Sequence, residues 1–308
     1  MLKGRFSQLS YFNQILLSLS LVVGISFVLL FIGAILCYLF FGINIMTDTN
    51  ALDINGTNPN IAALKFYQAI YSIGMFIVPP FIIAFFLSYS VSNYLKINQL
   101  AKPSVFLKAF LLILLALPSI NMMAELNSQI HFPEFLKGAE QWMRESEEKA
   151  ALVTQKFLKM DNLGDLFVNL ILIAAIPAIG EELLFRGVLQ KQLSKLTGNI
   201  HWGIFISAVL FSALHMQFFG FFPRLFLGML FGYLLVWTGS LWVPILAHFV
   251  NNGLAVSISY FIGKGQLPQE SDAIGSTNTM WELSLISLIL FSYLAYQLFS
   301  ARKRQIES

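Results

Sequence analysis

Glu181, Glu182 and Arg186 are the only charged residues between Asp165 and Lys191, inside the apolar run Ala175-Ile176-Pro177-Ala178-Ile179-Gly180-Glu181-Glu182-Leu183-Leu184-Phe185-Arg186-Gly187. Charge in such a run is expensive, so it points to function or to a buried ion pair that fixes packing. Helical geometry separates the three groups. Glu182 and Arg186, four apart, can pair on one face, whereas Glu181 is turned about 100° away and keeps a free carboxylate. An ion pair alone has no need of that second glutamate.

His215 and His248 are the only histidines within apolar runs, and they fall on different helices. Phe211 shares a face with His215, and Asn252 with His248, each at i, i+4. Either histidine taken singly is equally well read as an interhelical hydrogen-bonding group. Depth arithmetic brings them together. The midpoint between Glu181 and His215 is Gly198, in the helix-ending turn Leu196-Thr197-Gly198-Asn199. Antiparallel helices folded there put the two groups at similar depth, at most about 25 Å from the turn. Reflecting His248 through the turn at Gly239-Ser240, and again near Phe221, lands within a helical turn of His215. Glu181, Glu182, Arg186, His215, His248 and Asn252 can thus share one layer, whereas His131 and His201 fall in loop or interface positions.

Carboxylate, imidazole and amide together suit hydrolysis of an acyl bond. A buried carboxylate can take a proton from water, an imidazole can position that water, and a second imidazole with an amide NH2 can stabilise the oxyanion. A serine triad fits poorly: there is no Gly-x-Ser-x-Gly elbow near Ser212 and no Asp deep in these runs. Two histidines and a glutamate are also a possible zinc set, although no His-Glu-x-x-His is present. The expectation is therefore no cofactor, with a metal at the Glu/His site left open.

The elements that must position these groups are membrane helices. Of 308 residues, 57% are hydrophobic and 11% charged, and the mean hydropathy is +0.71, against about 25% charged in a soluble domain. A net charge of +3 is small and does not suggest a nucleic-acid partner, since a phosphate-binding face would need clustered Lys and Arg. The single Cys37 excludes an internal disulfide or a thiolate zinc site. The expected fold is an all-α, multi-pass transmembrane helical bundle, 1–308 as a single integral membrane domain. It has about eight spans, roughly 13–42, 66–95, 104–124, 163–193, 200–218, 223–238, 241–261 and 279–300. The first reads as a retained anchor, and Pro79-Pro80 should kink or break the second. Residues 125–161 read as an extramembrane amphipathic segment, with Phe135, Ala139, Trp142, Met143, Ala150, Val153 and Phe157 at near-helical spacing among Glu and Lys.

Lys3, Arg5, Lys96, Lys102, Lys108, Lys191, Lys195 and Arg302-Lys303-Arg304 place both termini in the cytoplasm and the 125–161 segment outside. Arg224 is the one basic residue on the wrong side, read as a snorkelling side chain. The site requires a polar cavity between the fourth, fifth and seventh spans, and the short distance from Trp242 to His248 predicts that it opens toward the cytoplasm.

Glu181-Glu182-x-x-x-Arg186, Phe211-x-x-x-His215 and His248-x-x-x-Asn252, in this order on successive apolar helices, resemble the three signature motifs of the CAAX prenyl protease and bacteriocin-processing (CPBP, or ABI) intramembrane endopeptidases. The motif core spans 163–260. The resemblance implies a glutamate-dependent protease in which Glu181 and His215 activate water, and His248 with Asn252 forms the oxyanion site. It further implies that Glu182 and Arg186 support the site and that Phe211 packs beside it. The substrate implied is a membrane-associated peptide or protein, prenylated or otherwise lipidated in CAAX fashion, met in the lipid bilayer of a bacterial cytoplasmic (inner) membrane. The family also includes immunity and scaffold proteins, so a non-proteolytic role in bacteriocin immunity is the alternative. A proton-relaying transporter is a third reading, but its charges should be spread along a path rather than gathered in one layer.

Overall fold

The computed structural model describes residues 2–48, 53, 59–276 and 280–307; the side chains of Arg302, Lys303 and Arg304, used above for orientation, lie outside what is described. Among the described residues the secondary structure is entirely helical. The main helices are α1 (Tyr11–Phe41), α2 (Ile61–Leu87), α3 (Pro103–Ser128), α4 (Lys137–Phe157), α5 (Leu163–Thr197), α6 (Ile200–Ala213), α7 (Phe221–Thr238), α8 (Trp242–Gly263) and α9 (Trp281–Glu307). Seven helical stretches are long and apolar enough to cross a membrane, counting α7 with the turn before it as Phe218–Thr238. The protein is an integral membrane protein.

The boundaries follow from local chemistry. Ser10 caps α1 by accepting from the Asn13 amide, and Gly42 ends that helix in the left-handed conformation at φ 69°. Gly198 and Gly239 end α5 and α7 in the same way, the two turns about which the depth arithmetic was folded. Asn199 then starts α6 by accepting from the amides of His201 and Trp202.

Of the expected kink or break at Pro79-Pro80, the structure shows no break: the helix widens instead. A π-helical stretch, Ile73–Ile77, precedes the prolines, and the Val78 amide bonds back five residues to Ile73. The wider turn absorbs carbonyls that the prolines cannot satisfy, so the chain passes through without breaking. Leu170–Ala175 does the same before Pro177.

The fifth expected span also differs. α6 has 14 residues, about 21 Å at 1.5 Å per residue, short of the roughly 30 Å hydrocarbon core. Its partner α7 packs along it, so the connection between them, residues 214–220, begins below the full height of the bundle. α4 covers that connection. Trp142 lies 5.2 Å from Phe218 between ring centroids, Arg144 stacks over Phe219 at 4.3 Å, and Glu147 accepts from the Phe219 amide at 3.1 Å. Asn169 on α5 donates to the Phe157 carbonyl at 2.7 Å, tethering the far end of α4. At its start, the Phe132 amide and then the Arg144 guanidinium hold the Glu140 carboxyl well below the ordinary carboxylate range, at about 2. The amphipathic segment therefore rests on the end of the bundle, its apolar face on the 214–220 connection.

Two apolar cores hold the helices. One joins α2, α5 and α6 through Ile83, Leu87, Leu184, Phe185, Val188 and Phe211. The other joins α3, α7, α8 and α9 through Leu112, Ile113, Phe231, Leu234, Val243 and Leu298. The outer faces are apolar too, as Phe27, Leu39 and Phe40 on α1 and Ile289 on α9 show by their exposure. That is the arrangement lipid demands, since exposed apolar side chains cost nothing there.

Candidate active site

The polar layer sits where the two cores meet. Glu182 is fully buried and Arg186 nearly so, and Arg186 Nη1 donates to Glu182 Oε1 at 2.8 Å. Arg186 Nη2 donates to the Gly228 carbonyl at 2.9 Å. Gly228 also lets α7 close on α6: a Cβ there would lie 2.9 Å from the Ala208 Cβ. Phe211 and Phe231 enclose the guanidinium, their ring centroids 4.6 and 5.3 Å away, and add cation–π attraction to a charge removed from water.

Glu182 has a second task. His248 Nδ1 lies 2.9 Å from the same Oε1. A carboxylate only accepts, so Nδ1 carries the proton and Nε2 points away. Nε2 is 3.7 Å from Glu181 Oε2. His248 thus stands between two carboxylates, stacked on Phe231 with centroids 4.9 Å apart and a 19° interplanar angle. His215 is fixed by the same logic. Its Nδ1 lies 2.8 Å from the Phe211 carbonyl, which can only accept, so Nε2 is left as an acceptor.

Glu181 is turned about 100° around α5 from Glu182. It is 9% exposed, and its Oε2 is buried with no hydrogen-bond partner among the described residues. Glu182 Oε2 is likewise without one, but of the two side chains only Glu181 lines the cavity described below. Gly180 sets the backbone here: a Cβ would come within 2.7 Å of Phe76 Cβ, so α5 lies directly against α2. A third π-helical stretch, Leu183–Leu189, follows the glutamates and contains Arg186. Such stretches are found at functional sites.

Glu181, Phe211, His215, His248 and Asn252 all line one cavity of about 400 Å³, shared with Gln68, Ser72 and Arg224. Asn252 Nδ2 donates to the Ile173 carbonyl at 3.3 Å and its Oδ1 accepts from Asn251 at 3.1 Å, leaving one amide hydrogen free. Every candidate site residue read from the sequence is in or against this cavity. His131 and His201 are not: His131 meets Glu140, and His201 pairs with Tyr233 at 2.8 Å. Among the described residues, no three of His, Cys, Asp and Glu converge as a metal-ligand set.

The cavity does not open where the sequence suggested. Leu241, Val243 and Ala247 are fully buried at the Trp242 end, and Trp242 Nε1 is tied to the Ile97 carbonyl at 2.8 Å. The lining extends instead to Val153, Thr154 and Phe157 of α4. Six residues of helix put Trp242 near His248 in length, but tight packing closes that path. Phe231 and Arg224 are the site residues the sequence reading missed. An aromatic in an apolar helix carries no signal, whereas Arg224, a charge at a span end, carried one that the snorkelling explanation absorbed.

The fold and this layer define a class: an integral membrane protein in which a glutamate with one oxygen free of hydrogen bonds, two oriented histidines and an asparagine line one cavity. Residues 163–254 match the family described as Rce1-like, type II CAAX prenyl endopeptidase. The resemblance carried by the three motifs is thereby borne out over the segment that holds them. The uncharacterized protein YpbD of Bacillus subtilis (strain 168) is 34% identical over 86 residues, 27% of this chain and 41% of YpbD. The aligned part spans about two fifths of that relative's length. No solved structure matches the chain.

Proposed function

We propose that this protein is an intramembrane endopeptidase that hydrolyses a peptide bond in a membrane-associated or lipidated, CAAX-like substrate without a metal or other cofactor. The observation that carries the reading is the unpartnered Glu181 carboxylate oxygen facing a cavity with two histidines of fixed orientation. A water held there has two acceptors for its two hydrogens, Glu181 and His215 Nε2. Glu181 takes one proton as the water oxygen bonds to the scissile carbonyl carbon. His248, its Nδ1–H held by Glu182, donates to the resulting oxyanion when its Nε2 also carries a proton, and the free amide hydrogen of Asn252 donates beside it. Collapse breaks the C–N bond, and Glu181 returns its proton to the departing nitrogen, giving a carboxylic acid and an amine. The family to which residues 163–254 match supports the substrate class. The basic residues at the Trp242 end support cytoplasmic termini in a bacterial inner membrane, with α4 outside.

The test is purified protein incubated with a quenched S-farnesylated peptide and an unprenylated control, each with and without chelator. The expected result is cleavage that favours the farnesylated peptide and survives chelation. Loss of cleavage on chelation, restored by added zinc, would overturn the metal-free mechanism. No cleavage of either peptide would favour a scaffold or immunity role.

A further inference from the structure

Arg224, in the first turn of α7, is the charged cavity residue to which the steps above give no task. It lines the cavity that holds Glu181, His215 and Asn252. It also lines a second, larger cavity of about 640 Å³, walled by Leu114, Leu117, Leu254 and Ile258. Arg224, Leu227 and Asn251 are common to both linings, so the guanidinium stands at their junction. It is held in place. Nη1 donates to the Gln217 carbonyl at 3.1 Å and Nη2 donates to Gln217 Oε1, and a Cβ on Gly220 would press within 2.7 Å of Nη1. These bonds occupy two of five N–H donors and leave three.

The bonds to Gln217 are to neutral oxygens. Glu147 and Glu181 attract this guanidinium electrostatically, but among the described residues no carboxylate lies within 4 Å of it, unlike Arg186, which has Glu182. A half-buried cation in an apolar bundle with a rigid, partly unused donor fork is built to receive an anion, and the fork's geometry matches a carboxylate. We propose that Arg224 binds the free C-terminal carboxylate of the substrate peptide, making the protein selective for bonds near a chain end, while apolar parts of the substrate occupy the larger cavity. This rests on the endopeptidase reading and adds its specificity determinant. Because Arg224 and Glu181 line one cavity of about 400 Å³, an extended chain at about 3.3–3.6 Å per residue places the scissile bond only a few residues from the carboxylate.

The experiment compares an S-farnesylated peptide ending in a free carboxylate with the same peptide ending in a carboxamide. Turnover is read on wild-type protein, and binding on Glu181→Gln. Wild type is expected to favour the acid by about 10- to 100-fold in kcat/KM, carried mainly by KM, with the same preference in binding to Glu181→Gln. In Arg224→Ala the acid-to-amide ratio falls toward one, and Arg224→Lys restores part of it. A ratio near one in wild type, or an unchanged ratio in Arg224→Ala, would overturn the carboxylate role. Equal losses on acid and amide would do so too, pointing to oxyanion stabilisation or to a lipid phosphate as the anion. Failure of the endopeptidase reading shows separately, as binding that prefers the acid with no cleavage of either peptide.

Discussion

Glu182 is the residue on which two others depend. Its Oε1 takes a hydrogen bond from Arg186 and another from His248, so one carboxylate both neutralises a buried cation and fixes an imidazole. Glu181 makes no comparable bond. Replacing each with glutamine therefore has unlike effects. Glu182→Gln leaves the Arg186 charge uncompensated and should cost roughly 3–5 kcal/mol of stability. Glu181→Gln removes a buried charge that lacks a hydrogen bond and should not lower stability. Thermal unfolding in detergent checks this, and equal losses would contradict the division of labour. These residues were legible because charge is conspicuous in an apolar run and because i, i+4 spacing dictates which glutamate can meet Arg186. The bond from His248 to Glu182 was not legible: it depends on the rotation of α8 against α5, which spacing within either helix does not set.

Among the elements, α4 and the short α6 belong together. Ending α6 at Ala213 puts His215 in the exposed start of the connection to α7, where it lines the cavity, and α4 packs over Phe218 and Phe219 farther along that connection. The periodicity of 125–161 announced an amphipathic helix, but its partner was invisible because the 214–220 connection reads as the end of an ordinary span. The π-helical stretches were equally hidden: proline announces a missing donor, while the neighbouring packing decides whether the helix breaks or widens. Trp142→Ala removes the ring contact to Phe218, worth about 0.5–1.5 kcal/mol beyond its area burial. Hydrogen exchange of the 214–220 amides should then speed by about 2- to 10-fold, while that of α8 stays unchanged. Unchanged exchange in 214–220 would show that α4 does not hold the connection.

For the whole molecule, the decisive feature is which end of the bundle the cavity reaches. The turns at Gly198 and Gly239 were readable from sequence, and with them the common depth of the polar groups. The path to solvent was not, since it depends on whether side chains such as Leu241, Val243 and Ala247 pack without gaps. They do, and the cavity reaches α4 instead. If the basic ends are cytoplasmic, as proposed, a membrane-impermeant thiol reagent added to intact cells should label Thr154→Cys and Asn251→Cys and spare Ala247→Cys. The buried Cys37 gives little background. Labelling of Thr154→Cys only after the membrane is opened would reverse the assigned orientation and place the mouth of the cavity in the cytoplasm.

The central claim is that the Glu181 carboxylate activates water for direct attack. The measurement that tests it is cleavage of the farnesylated peptide in 18O-labelled water by wild type and by a folded Glu181→Gln variant, with the new carboxyl group weighed after a single turnover. The account predicts one 18O in the product from wild type and a rate lowered by about 10²–10⁴-fold in Glu181→Gln with no loss of thermal stability. Cleavage by Glu181→Gln at the wild-type rate, or a first-turnover product in which the label is missing, would contradict it.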